Sequence, residues 1–144
     1  QVVTEPICGT DLLPTLVSIA GGTLPADHHL DGTNFSPLLK QDTPLQRETP
    51  LFWYYYNARG YASFALRDGD YMMLALRDGP QFRPGTPYAP DRFPAVGQSH
   101  ARGHELYNLR KDPMEVVDLA AAEPARLNRL KQTLESCLSL FVPI

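Results

Sequence analysis

Tyr61-Ala-Ser-Phe-Ala-Leu-Arg67 and Asp70-Tyr-Met-Met-Leu-Ala-Leu76, joined by Asp68-Gly69, decide the fold. The first run alternates, the period of a strand with one covered face, and the second is apolar. Asp-Gly tolerates the positive φ that a two-residue turn between antiparallel strands requires, so the stretch predicts a hairpin turning at Asp68-Gly69. Upstream, the aromatic run Leu51 to Asn57 reads as another strand, since aromatic side chains suit a pleated, half-buried surface. Downstream, Glu105 to Leu109 reads as a short strand, with Arg110 to Asp112 as its turn before Pro113.

Pro124 suits the first position of a helix. After it, Leu127, Leu130, Leu134, Cys137 or Leu138, and Phe141 recur at steps of three and four, while Arg126, Arg129, Lys131 and Glu135 fall largely elsewhere. The predicted class is α+β: a small antiparallel sheet packed against a C-terminal amphipathic helix.

The N-terminal third differs. Thr10 or Asp11 can cap a helix running to about Ala20, with Pro14 still in its first turn and Gly21-Gly22 as its stop. Leu12, Leu13, Leu16, Val17 and Ile19 cover more than one stripe, so this helix wants contacts on two sides. In isolation one side would lie bare, a possible route to self-association. Thr23 to Pro50 is rich in Pro, Asp, Gly and Thr and reads as a connector, with a short helical turn near Phe35 to Lys40.

The 144 residues make about one domain with room for a core, and 43% apolar and 20% charged content is ordinary for a globular chain. A net charge of −3 gives little electrostatic support for binding nucleic acid or an anionic membrane. No apolar run approaches the ~20 residues that span a bilayer. Gln1 in place of Met points to a piece of a longer chain. Cys8 and Cys137 can be bridged or separate; the simpler reading is two small buried apolar residues.

The chemistry-bearing letters converge poorly. In Asp27-His28-His29-Leu30-Asp31, adjacent side chains of an extended segment point opposite ways, which argues against one shared metal ion. His100 and His104 have the i, i+4 spacing of a helical zinc pair, but the glycines and prolines around them argue against a helix. Ser99-His100 with a distant aspartate supplies the letters of a triad without a nucleophile elbow. Asp78 to Gly103, with five prolines and four glycines, reads as a long functional or disordered loop. Trp53-Tyr54-Tyr55-Tyr56, near Asn57, Arg59 and Tyr61, is the densest aromatic and polar group. One alternate set belongs to the core, and the other suits a sugar or aromatic ligand.

The order of Asp11-Leu-Leu-Pro-Thr-Leu16, Leu30-Asp-Gly32, Pro50-Leu-Phe-Trp53, Leu66-Arg-Asp-Gly-Asp-Tyr71 and Glu105-Leu-Tyr-Asn-Leu109 before Asp112-Pro-Met-Glu115 resembles the C-terminal stretch of type I sulfatases. The likeness is to the arylsulfatase and N-acetylgalactosamine-6-sulfatase branch of the alkaline phosphatase superfamily. It implies hydrolysis of sulfate esters by a longer parent, using calcium and a formylglycine made in a Cys/Ser-x-Pro-x-Arg motif. Neither Cys8-Gly-Thr nor Cys137-Leu-Ser fits that motif, so no catalytic residue, metal ligand or cofactor is expected within this chain.

By the same resemblance, residues 1–45 would be the tail of a large α/β catalytic domain, the chain's missing partner. Residues 46–144 would be the C-terminal subdomain, a four-stranded antiparallel sheet with a helix. The 54–61 turn and the 99–104 stretch would reach the substrate cleft, with Tyr56, Arg59, His100 and His104 as candidate contacts to a sulfated small molecule or sugar. A periplasmic or secreted parent is implied. Met72 stands where the family usually carries Lys. Two other readings remain: a stand-alone glycan-binding or interaction module, and part of a phosphodiesterase or pseudoenzyme relative.

Overall fold

A computed structural model describes residues 3–25, 27, 30–40, 45, 47, 50–58, 61–77 and 101–139, with 56–58, 61 and 62 by backbone alone. The chain divides into two compact units, Gln1–Leu51 and Phe52–Ile144.

In the first unit, a 3-10 turn at Gly9–Asp11 leads into α1 (Leu12–Ile19), and α2 is Ser36–Lys40. The predicted stop holds, with Gly21 at φ 72°. Asp11 does not cap α1 with its side chain. It is fully buried instead, and its carboxylate accepts from the backbone N–H of Cys8 (2.8 Å) and of Thr33 (2.7 Å). Both terminal nitrogens of the Arg47 guanidinium also donate to it, at 2.9 and 2.7 Å. Thr15, also buried, donates to the Asp11 carbonyl and accepts from Phe35 N–H. Gly32 is a steric necessity: a Cβ there would overlap the Thr10 carbonyl, which explains the glycine of Leu30-Asp-Gly32. Around this polar centre Leu12, Leu13, Leu16 and Ile19 point outward, each at least half exposed.

The second unit is built on the sheet β1 (Leu51–Ala58), β2 (Tyr61–Asp68), β3 (Tyr71–Arg77) and β4 (Ala101–Asn108), in the order β1-β2-β3-β4. The central pairings are antiparallel. The predicted hairpin is present, but its turn lies one residue later: Asp68 pairs with Tyr71, leaving Gly69-Asp70 as the loop. Gly69 takes φ 58°, so the glycine is the first central residue and not the second.

α3 (Pro124–Ser139) buries Leu127, Leu130, Leu134 and Leu138 on Phe64, Leu66, Met73, Ala75 and Leu106. Cys137 packs at the rim of this core, and Phe141 lies outside the described residues. The start of α3 is fixed beside the β2–β3 turn, where Arg126 stacks 3.8 Å from the Tyr71 ring centroid and Arg129 pairs with Asp68 at 2.8 Å. Cys8 and Cys137 are half-buried thiols.

β4 starts four residues earlier than its apolar pattern indicates, because Ala101 to His104 pair through the backbone while breaking the alternation. Leu74 pairs with Glu105 and Leu76 with Arg102, so two residues of β4, Gly103 and His104, face the single residue Ala75. Gly103, at φ 59°, makes this bulge possible.

Candidate functional site

In an antiparallel sheet of this order, the C-terminal ends of β1 and β3 and the N-terminal ends of β2 and β4 share one edge of the unit. The β1–β2 connection and the chain between β3 and β4 both leave there. The opposite end holds the Gly69-Asp70 turn and the start of α3. Tyr56 is the sixth residue of β1, near the first end, and His104 the fourth of β4. β2 and β3 lie between their strands, so the two are not neighbours. Arg59, His100, His28, His29 and Ser99 lie outside the described residues.

Just inside this end, on the face toward α3, is a buried cation. Inward parity along β3 runs Met73, Ala75, Arg77, and Arg77 is only 3% exposed. It donates to the Tyr54 hydroxyl at 2.7 Å, with its guanidinium 5.6 Å from that ring's centroid. Tyr54 and Phe52 in turn pack on Phe64, with ring centroids 5.5 and 6.1 Å apart. Arg77 therefore braces β1 from two strands away and stiffens the strand that leads into the β1–β2 connection. Sequence reading missed it, because Asp70 to Leu76 is apolar at both parities and gives no sign of which face Arg77 takes.

His104 is half-buried. Burial pushes its pKa below the usual value, Lys131 adds to the effect, and Glu135 partly opposes it. Near neutrality it is therefore an uncharged imidazole.

The outer face carries the alternate residues. Phe52 and Tyr54 turn inward, so Trp53 and Tyr55 face out, at 40% and 58% exposed. The register aligns Ser63, Leu76 and Arg102 across the sheet, and likewise Ala65, Leu74 and Glu105. Glu105 accepts from the Tyr107 hydroxyl at 2.9 Å. Burial, with the Glu105 carboxylate, pushes that phenol up to about 12, so it stays a donor. Among the described residues no group of three His, Cys, Asp or Glu comes together to hold a metal ion, and Asp27 and Asp31 gather no such set.

No protein-family model matches the chain. It is 35% identical to human arylsulfatase A over 139 residues, 91% of this chain and 26% of that one. It is 30% identical to mouse steryl-sulfatase over 131 residues, 86% of this chain and 21% of the relative. The chain thus spans about a quarter of the length of the curated relatives it matches. Two solved structures share the fold. Ps i-CgsB in complex with k-i-k-neocarrahexaose gives a TM-score of 0.61 at 22% identity, covering 89% of this chain and 23% of that one. BT4656 in complex with its substrate D-glucosamine-2-N,6-O-disulfate gives 0.58 at 17%, covering 89% and 24%.

Proposed function

The chain belongs to the sulfatase family, whose C-terminal portion it matches, and on that premise we propose that it is the small sheet domain of a sulfuric ester hydrolase acting on a sulfated sugar. The observation that carries this reading is the fold shared over 89% of the chain with BT4656, whose named substrate is a disulfated glucosamine. The end of the sheet that carries the β1–β2 connection borders the substrate. There Arg59 supplies a planar donor that matches a sulfate or carboxylate, and His100 and His104 supply imidazole hydrogen-bonding groups. Arg77, through Tyr54, holds the strand behind that connection. The outward leucines of α1 are the face on which the rest of the sulfatase packs, because Leu12, Leu13, Leu16 and Ile19 are all at least half exposed on one short helix.

Calcium and formylglycine, which the family implies, do not fit this chain. Neither cysteine lies in the modification motif, and no acidic or His cluster converges among the described residues. On this reading both belong to the remainder of the longer protein, and this chain orients and shields substrate without performing the bond cleavage.

Release of inorganic sulfate from an aryl sulfate and from a sulfated glucosamine tests this reading, for the longer protein and for this chain alone. The longer protein is expected to release sulfate, and the chain alone none. Turnover by the isolated chain at catalytic enzyme levels, or none by the longer protein on either substrate, overturns it.

A further inference from the structure

We propose that the outer face of the sheet is a groove for a sulfated oligosaccharide, in which Trp53 and Tyr55 stack on sugar rings and Arg102 holds a sulfate group. The inference rests on the sulfated-sugar reading above and extends it to a surface separate from the end of the sheet at the β1–β2 connection.

Three features build the groove. Trp53 and Tyr55 are two residues apart on edge strand β1, so their rings are offset by about 7 Å along one face, and both are well exposed. On the next strand Ser63, Ala65 and Arg67 share the outward parity, so the two small residues lie in the floor and a second guanidinium lies toward the β2–β3 turn. On β3, Leu76 and Leu74 continue the floor, and on β4 Arg102 and Glu105 form the far wall. Three interstrand gaps make the face about 14 Å across.

The far wall depends on the bulge. In a regular strand, residues 102 and 105 would point to opposite faces. The extra residue made possible by Gly103 at φ 59° returns Arg102 to the same face as Glu105. A guanidinium then stands across the floor from two aromatic rings, a pairing that suits an anionic sugar: apolar ring faces on the aromatics, sulfate on the arginine. Glu105, already accepting from Tyr107, is placed to accept from a sugar hydroxyl and disfavours a second sulfate beside it. The polar groups favour a sugar over a protein partner. Among the described residues, the outward positions of β2, β3 and β4 carry the guanidiniums of Arg67 and Arg102 against the one carboxylate of Glu105, a balance that favours an anionic ligand.

Trp53 is the chain's only tryptophan, so its emission reports on the groove directly. Titration with a heparin-derived tetrasaccharide is expected to give a saturable change in Trp53 emission. Chemical desulfation, or Arg102→Gln, is expected to weaken binding by about tenfold or more, the loss of one charge-assisted contact. Tyr55→Ala is expected to weaken it for both sulfated and desulfated sugar. Circular dichroism checks that these exposed substitutions leave the fold intact. The groove is overturned by no emission change at millimolar sugar, or by equal affinity in Arg102→Gln. It is also overturned if Trp53 in the longer protein is shielded from a soluble quencher while sulfate is still released. That last result would assign the face to a polypeptide contact and leave the sulfatase reading standing.

Discussion

The two units of this chain close around different centres. The first, Gln1–Leu51, closes around the Asp11–Arg47 pair with Thr15 and Ser36, buries Leu38 and Leu51 as well, and turns Leu12, Leu13, Leu16 and Ile19 outward. The second, Phe52–Ile144, encloses Phe64, Leu66, Met73, Leu106 and four leucines of α3. Hydrophobic burial is non-directional and self-sufficient, so the second unit has what a small domain needs to fold by itself. A buried ion pair is held by geometry and is a poor source of net stability, because desolvation offsets much of the attraction. The first unit is therefore the part that depends on its surroundings, consistent with exposed apolar residues meant for a larger core.

The sharpest way to break this contrast is Arg47→Met. It leaves the Asp11 carboxylate buried without its cation, which is expected to destabilise the first unit by about 3–5 kcal/mol while Trp53 emission from the second barely changes. A matching loss in both units would show that they fold as one. Leu130→Ala should do the converse. Truncating a residue 1% exposed in the α3–sheet core is expected to lower the denaturant midpoint of the second unit by about 2–5 kcal/mol. A loss under about 1 kcal/mol would mean that the helix face is loosely packed.

Acid separates the units next. Burial alone would raise the Asp11 pKa, but the Arg47 hydrogen bonds and the N–H groups of Thr33 and Cys8 outweigh it and hold it down at about 2. A carboxylate whose folded pKa lies below its unfolded value adds stability that is present above about pH 4 and is lost as pH falls through about 2. The first unit is thus expected to lose about 2 kcal/mol across that window, and Asp11→Asn to flatten the dependence. The smallest effect is at His104. Its proton titration, followed by NMR, is expected to have a midpoint below the usual histidine value, and Lys131→Gln to move it upward. A midpoint at or above the usual value would remove His104 from the packed face of β4.

Legibility divides along the same line. The hairpin and α3 could be read because periods of two and of three to four are local, and burial then follows from them. The pairing of Asp11 with Arg47, 36 residues away, has no local signature, so Asp11 looked only like a cap. The turn slipped by one residue because Asp68-Gly69 and Gly69-Asp70 are both acceptable turn pairs. The N-terminal half of β4 was hidden because its bulge breaks the alternation by which strands are recognised, and with it went the direction of Arg102. Of the named site residues, Tyr56 and His104 prove to lie on opposite edges of the sheet. The order of short phrases, by contrast, pointed to the sulfatases before any coordinate was known.

Amide hydrogen exchange of the whole chain at pH 7 and near pH 3 tests the contrast most directly. The expected result is that β2, β3, β4 and α3 keep their protection, relative to the intrinsic rate at each pH, while amides of the first unit, those of Cys8 and Thr33 included, lose protection on acidification. Uniform protection that falls in step across both units would contradict it, and the chain would then be one cooperative body.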